Sequence, residues 1–370
     1  MELIPFQVVP REVAPHFDVP GTLVDLQPIA RGHINDTFVA TYQANGCRHR
    51  VIHQRINHHI FRDPPRMMDN IARVTTHLQR KLADENLPDA HRRALRLIPT
   101  RNGLPYHRTD SGDYWRTYHY IENTCSYDIV ESPNEAYQAA REFGLFQRRL
   151  ADLPGPRLHD TIPDFHHTPK RFATFQRVLA ADTHNRAATC RAEIAFAEQR
   201  EPLTRVLLDL VARGLIPERV THNDTKINNV LLDATTGEGV CVIDLDTVMP
   251  GLSLYDFGDL VRTTVSPAAE DETQLDRVCV RPEFFAALVR GYLEAIGDTL
   301  TPAEKQHLTV AGILITYEVG LRFLTDYLDG DQYFKTHRPG HNLDRCRNQF
   351  RLVTSLEQAA EELNAIIARH

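Results

Sequence analysis

The chain has 370 residues, 42% of them hydrophobic, which is enough to build one large domain or two lobes around a sizeable core. A formal net charge of −7, with no run of like charge, argues against an unselective nucleic-acid or membrane surface and leaves small molecules as the fitting partners. No 18-residue apolar stretch is free of charge and the N-terminus lacks the basic and apolar regions of a signal peptide, so a cytoplasmic location is expected.

The six cysteines are scattered without a C-x-x-C pair, and the paired histidines His58-His59 and His166-His167 would point apart on a strand. Neither a disulfide framework nor a structural metal is expected from them. In chain order, Leu23 to Ile29, Thr37 to Tyr42 and Arg50 to Ile56 read as strands of an antiparallel sheet, the last two joined by an Asn45-Gly46 hairpin turn. Asp63 caps a helix beginning at Pro64, whose buried face is marked by Met67, Ile71, Val74 and Leu78 and should pack on that sheet. Strands near 96–99 and 115–122 complete a small β-rich lobe over residues 1–122. Residues 123–370 are mainly helical, most clearly at 135–150, 192–213, 282–295 and from the Thr301-Pro302-Ala303-Glu304 capping box to about Asp329. The Pro-rich 153–170 segment between the first two reads as a loop. The fold class expected is α+β, a small antiparallel-sheet lobe joined to a larger helical one.

The chemistry concentrates at residues 221 to 246. Two short apolar runs flank a Thr-Thr-Gly-Glu-Gly turn, the pattern of a β-hairpin, and a centre between Thr236 and Gly237 would set Asn229 opposite Asp244. An amide and a carboxylate brought together suit magnesium. Asp224 precedes Asn229 by five residues on an irregular loop that can hold a base.

The order His222-x-Asp224-x-Lys226-x-x-Asn229 followed by Asp244 resembles the protein-kinase catalytic loop and its metal-binding Asp. Together with Gly32-His33-Ile34-Asn35, Met249-Pro250-Gly251, Asp256-Phe257-Gly258-Asp259 and Arg322-Phe323-Leu324, the chain resembles the N-acetylhexosamine 1-kinases of the aminoglycoside and choline phosphotransferase group. The resemblance implies a bilobal protein-kinase-like fold, ATP as co-substrate with Mg2+, and an N-acetylhexosamine phosphorylated at its anomeric hydroxyl. Another small hydroxyl compound, or nucleotide binding without turnover, remains the alternative. It further implies Asp224 as base and sugar contact, Lys226 at the transferred phosphate, and Asn229 and Asp244 as metal ligands. Gly32, Asn35 and Thr37 would close over the triphosphate, with Arg55 as the cation, and Ile121 and Glu122 would form the adenine-binding hinge. Asp256 and Asp259 would brace the two loops. His33, Arg322 and Tyr333 would contact the sugar, and Thr263 stands where a large aromatic is expected, which leaves the epimer open. A monomer or weak homodimer is expected. Glu318, Arg322 and Asp326 share one face of an apolar helix at i, i+4, i+8, either lining a polar cleft or forming an internal ion-pair ladder.

Overall fold

Asn45 and Gly46 take φ of 52° and 80°, the two left-handed residues that a two-residue hairpin turn requires, and from them a continuous antiparallel ladder runs from Ala44↔Cys47 to Asp36↔Arg55. The computed structural model describes residues 8–29, 34–87 and 89–370, so Gly32 and His33 lie outside the described residues. Two units are distinguished: one of residues 1–124, 152–162 and 240–249, the other of residues 125–151, 163–239 and 250–370.

In the first unit a short helix α1 (Val8–Val13) precedes strands β1 (Thr22–Ile29), β2 (Asp36–Ala44) and β3 (Cys47–Ile56). Helix α2 (Pro64–Asp84) and strands β4 (Leu97–Ile98), β5 (His107–Arg108) and β6 (Tyr114–His119) follow. The sheet order is β1-β2-β3-β6-β4, with β5 added on β6. One face of this sheet buries Phe38, Ala40, Val51 and Trp115 with Phe17 and Ile98. On the other, Met68 of α2 brings its sulfur within 4.0 Å of Arg116. Asp63 accepts the Arg66 amide at the N-terminus of α2, and Met67, Ile71, Val74 and Leu78 are buried, as periodicity predicts.

The second unit is helical: α3 (Pro133–Leu150), α4 (Thr168–Ala181), α5 (Arg191–Gln199), α6 (Val206–Ala212), α7 (Ser253–Thr264), α8 (Pro282–Ile296), α9 (Pro302–Gln306), α10 (Leu308–Leu328), α11 (His341–Gln358) and α12 (Ala360–Ile367). By length and composition α10 could cross a membrane, yet it is buried here against α4, α7 and α11. Its approach to α7 is close: a Cβ at Gly258 would lie 2.5 Å from the Ala311 carbonyl oxygen, and one at Gly312 would lie 2.7 Å from Val261. Both positions therefore need glycine.

The helical pattern over 192–213 is broken. Pro202 donates no amide hydrogen bond, and residues Glu201–Arg205 form a tighter 3-10 turn between α5 and α6. The helix expected from Thr301 to Asp329 is likewise divided at His307, where a ring nitrogen engages the Ala303 carbonyl at 2.7 Å and the His307 amide turns to Glu304 instead. Helix α4 begins inside the stretch read as a loop, started by the His167 side chain accepting from the Lys170 amide.

Asn70, fully buried on α2, joins the three segments of the first unit. Its amide nitrogen donates to the carbonyls of His159 (2.8 Å) and Val248 (3.0 Å), and its oxygen accepts the His159 amide (2.9 Å). Arg73 on the same helix reaches the carbonyls of Pro154 and Pro156, so the Pro-rich segment is a strap on α2. Asn70→Ala strands three buried backbone groups and is expected to cost about 2 to 4 kcal/mol in urea unfolding. Hydrogen exchange should quicken at residues 244–248 and 157–161 before the rest of the unit. Equal protection in variant and wild type would remove Asn70 from this role.

Candidate active site

The loop 222–229 lacks a strand ladder, so its amides need other acceptors. The buried carboxylate of Asp256, in the first turn of α7, accepts the amides of His222 (2.9 Å) and Asn223 (2.7 Å) and the side-chain amide of Gln147. Burial pushes the Asp256 carboxyl upward, against the pull of His222 and these donors. Asn223 sits at φ 65°, a left-handed conformation that Asn tolerates better than most residues. His222 is enclosed by Phe143 and Phe146, at ring distances of 5.2 and 5.9 Å.

This frame presents Asp224. Its carboxylate meets Lys226 Nζ at 2.8 Å, and Asn229 Nδ2 donates both to the Asp224 carbonyl (2.8 Å) and to its carboxylate (3.2 Å). Three of the residues expected to act together are thus in mutual contact. Burial alone would raise the Asp224 carboxyl, but the Lys226 ammonium outweighs it and holds it below the usual carboxylate range. Turning its NH2 group to Asp224 leaves the Asn229 amide oxygen as the free end, a hard oxygen donor of the kind Mg2+ takes. The turn that follows is closed by Asp233, whose amide donates to the Glu238 carbonyl and whose side chain caps the amides of Thr235 and Thr236. Its centre falls between Thr235 and Thr236, one residue before the expected one, because that Asx turn sets it. Asp259 and Glu270 flank Arg262, each at 2.7 Å, while the second Asp259 oxygen is buried with no partner among the described residues. Thr263 turns its hydroxyl back to the Asp259 carbonyl at 2.9 Å.

The charged stripe on α10 is not an ion-pair ladder. Glu318, fully buried, accepts from His166 Nδ1 (2.8 Å) and the Thr168 hydroxyl (2.6 Å). Asp326 accepts the amides of Gln332, Tyr333 and Phe334 and the side chain of Asn342. Among the described residues Arg322 has no ion pair; its guanidinium lies 5.4 to 5.7 Å from the ring centres of Phe334, Phe165 and Tyr333. Arg322 and Tyr333 are therefore neighbours, and Tyr333 is 61% exposed. Arg171 is bonded to the Phe165 carbonyl, its Nε is buried without a partner, and burial and then Arg322 push it downward.

Sequence reasoning missed His166. Its second nitrogen, Nε2, meets the carbonyl of Asn223 at 3.1 Å, so both ring nitrogens face acceptors and the ring is an imidazolium. Burial opposes that charge, and Glu318 outweighs burial, so the His166 value is raised while that of Glu318 is lowered despite its burial.

In the first unit Asp244 occupies a left-handed turn at φ 60°, ahead of a 3-10 turn over Leu245–Thr247. Asp246 is bound by Arg116 and by Asn35 Nδ2 (2.7 Å), and the Asn35 oxygen accepts the Asn57 amide (3.0 Å). Register separates the candidates on the sheet. Thr37, Gln54 and Arg116 are paired neighbours on one face, linked by Gln54 donating to Thr37 (2.9 Å) and Arg116 to Gln54 (3.0 Å). Asp36, Arg55 and Trp115 are neighbours on the opposite face, where Arg55 is paired with Asp36 and stands 3.9 Å from Asp113. Arg116 is the second residue that sequence reasoning missed; its signal is a lone charge inside the run Trp115-Arg116-Thr117-Tyr118. At the expected hinge the carbonyls of Ile121 and Glu122 are taken by Thr124 (2.9 Å) and Arg92 (2.9 Å).

Residues 25–301 match the family described as phosphotransferase enzyme family, APH. Similar solved structures include a microcompartment-associated aminopropanol kinase, at 14% identity and TM-score 0.59, covering 96% of this chain and 98% of the other. A choline kinase from Cryptosporidium parvum matches at 15% identity and TM-score 0.53 over 92% and 89% of the two chains. A spectinomycin phosphotransferase complexed with ADP and spectinomycin matches at 12% identity and TM-score 0.52 over 92% and 94%. The fold is protein-kinase-like, an antiparallel-sheet region followed by a helical one.

The His166–Glu318 pair sets a pH dependence. The raised His166 contribution is fully present below its unfolded value near 6.5 and is lost as pH rises through the folded value; that of Glu318 is present above about 4.5 and is lost as pH falls through its lowered value. The melting-temperature advantage of wild type over His166→Asn should therefore be largest at about pH 4.5 to 6.5 and shrink toward alkaline pH. A difference that stays constant up to pH 9 would remove the ion pair.

Proposed function

Because this chain belongs to the phosphotransferase enzyme family, with a hydroxyl group as acceptor, we propose that it transfers the γ-phosphoryl group of ATP to the anomeric hydroxyl of an N-acetylhexosamine, GlcNAc or GalNAc. The products are the sugar 1-phosphate and ADP. The observation that carries the reading is the Asp224 carboxylate, fixed by Lys226 and Asn229 on a loop that Asp256 pins. The sugar oxygen attacks the γ-phosphorus, the bond to the β,γ-bridging oxygen breaks with its electron pair leaving on ADP, and the hydroxyl proton passes to Asp224. Lys226, already beside Asp224, would receive an oxygen of the moving phosphoryl group. The Asn229 amide oxygen of the second unit and Asp244 of the first are each proposed as Mg2+ donors, and Mg2+ when bound neutralises charge on the β and γ oxygens. Asp224→Asn should retain nucleotide affinity and lose about a hundredfold or more in kcat, since the amide cannot take the proton. Turnover near that of the wild type would remove Asp224 as base.

The acceptor reading is supported at Arg322 and Tyr333, since one is a cation without a carboxylate partner among the described residues and the other an exposed ring beside it. Arg322→Ala should weaken sugar capture by roughly 1.5 to 3 kcal/mol in kcat/KM. It should leave melting nearly unchanged, because Glu318 and Asp326 keep their own donors. A large fall in melting temperature with normal sugar KM would withdraw both contacts.

A second reading rests on Arg171. Two adjacent guanidiniums without a carboxylate partner among the described residues suit an acceptor carrying an anionic group. ATP consumption on GlcNAc, GalNAc, their 6-phosphates and uronic acids, choline and an aminoglycoside decides. Higher kcat/KM on neutral hexosamines supports the first reading and on the anionic ones the second. Turnover only of choline or the aminoglycoside, or no consumption on any, defeats both.

A further inference from the structure

Arg116 is 1% exposed in the middle of β6, where an unpaired guanidinium could not be kept. Its partners are fixed: Nε donates to Gln54 at 3.0 Å and Nη1 to one oxygen of Asp246, itself 2% exposed. The other Asp246 oxygen receives Asn35 Nδ2, and Asn35 is held in turn by the Asn57 amide. Both oxygens of that carboxylate are therefore taken. Asp244, two residues earlier, lies on a left-handed turn and within the electrostatic reach of the same guanidinium. The cation expected on β3 is absent from this face, because Arg55 points to the opposite one and Gln54 is neutral.

We propose that Arg116 is a positioning residue of the metal site: by occupying Asp246 together with Asn35 it withholds that carboxylate from the cation and leaves Asp244 as the ligand. This rests on the reading of Asp244 as a metal ligand given above. The charges show what is gained. The Arg116 guanidinium cancels one unit of carboxylate charge beside Asp244, so a divalent ion bound there keeps more of its positive charge for a polyphosphate. Without Arg116 the surroundings are one unit more negative, and the freed carboxylate makes the site a better trap for a bare cation and a weaker one for a nucleotide.

The two effects have opposite signs, which a merely structural Arg116 would not produce. In Arg116→Gln, calorimetric titration with Mn2+ alone should show at least tenfold tighter binding than in wild type, with a larger metal-induced rise in melting temperature. ADP measured with Mg2+ should bind at least tenfold more weakly, and Arg116→Lys should lie near wild type in both. Unchanged or weaker Mn2+ binding by folded Arg116→Gln overturns the proposal. Should that variant fail to fold, the double variant Arg116→Gln/Asp246→Asn removes both buried charges and leaves the local charge as in wild type. It should keep Mn2+ affinity within about threefold of wild type, and a tenfold loss would make Asp246 a ligand and overturn the proposal. Asp244→Ala separates the underlying reading: metal-dependent ADP binding should vanish, and its survival would refute Asp244 as ligand whatever Arg116 does.

Discussion

The main-chain amides of His222 and Asn223 converge on one buried carboxylate, and the loop that carries Asp224 depends on that convergence. Each such hydrogen bond contributes about 0.5 to 1.5 kcal/mol, and together they offset the left-handed strain at Asn223. The Thr225 hydroxyl adds a bond to the Asp256 carbonyl at 2.6 Å, so both ends of Asp256 grip the loop. Asp256 itself belongs to α7, which is locked to α10 through Gly258 and Gly312. Rigid helix packing is thereby transmitted to the orientation of Asp224.

The first unit solves the same problem with a different set of residues. Asp244 sits on a turn that no strand ladder supports, and its loop is held from one side by Asp246 through Arg116 and Asn35 and from the other by Asn70 through the Val248 carbonyl. Both chemically active turns place an Asn or Asp at positive φ, where a β-branched or bulky residue would be strained. In both, a buried side chain supplies the hydrogen bonds that regular secondary structure would have supplied elsewhere.

Features set by neighbours in the chain were legible in the sequence. The Asn45-Gly46 turn, the Asp63 cap, the capping box at Thr301 and the buried stripe of α2 all formed as expected. The spacing of Asp224, Lys226 and Asn229 was legible for the same reason. Features set by distant partners were not. On β3 a choice between Gln54 and Arg55 is a choice between faces, and only the pairing with β6 decides it. His166 lies within a Pro-rich stretch, 57 residues before Asn223 and 152 before Glu318, so no local pattern announces its contacts. The α10 stripe looked self-sufficient because i, i+4 spacing allows mutual pairing; the competing donors come from α4, α11 and the turn after α10.

That competition decides what surrounds Arg322. Glu318 and Arg322 stand one helical turn apart, the spacing at which opposite charges pair by default. A carboxylate shared with Arg322 would leave the guanidinium satisfied and poorly available to a ligand. His166 and Thr168 take the carboxylate instead, from inside the packing, and Arg322 is left among Phe165, Tyr333 and Phe334. The same ring meets the carbonyl of Asn223, the residue before Asp224, from its other side. One ring thus holds the carboxylate that would otherwise pair with Arg322 and steadies the loop that carries Asp224, so the surroundings of these two residues are joined through His166 rather than built independently.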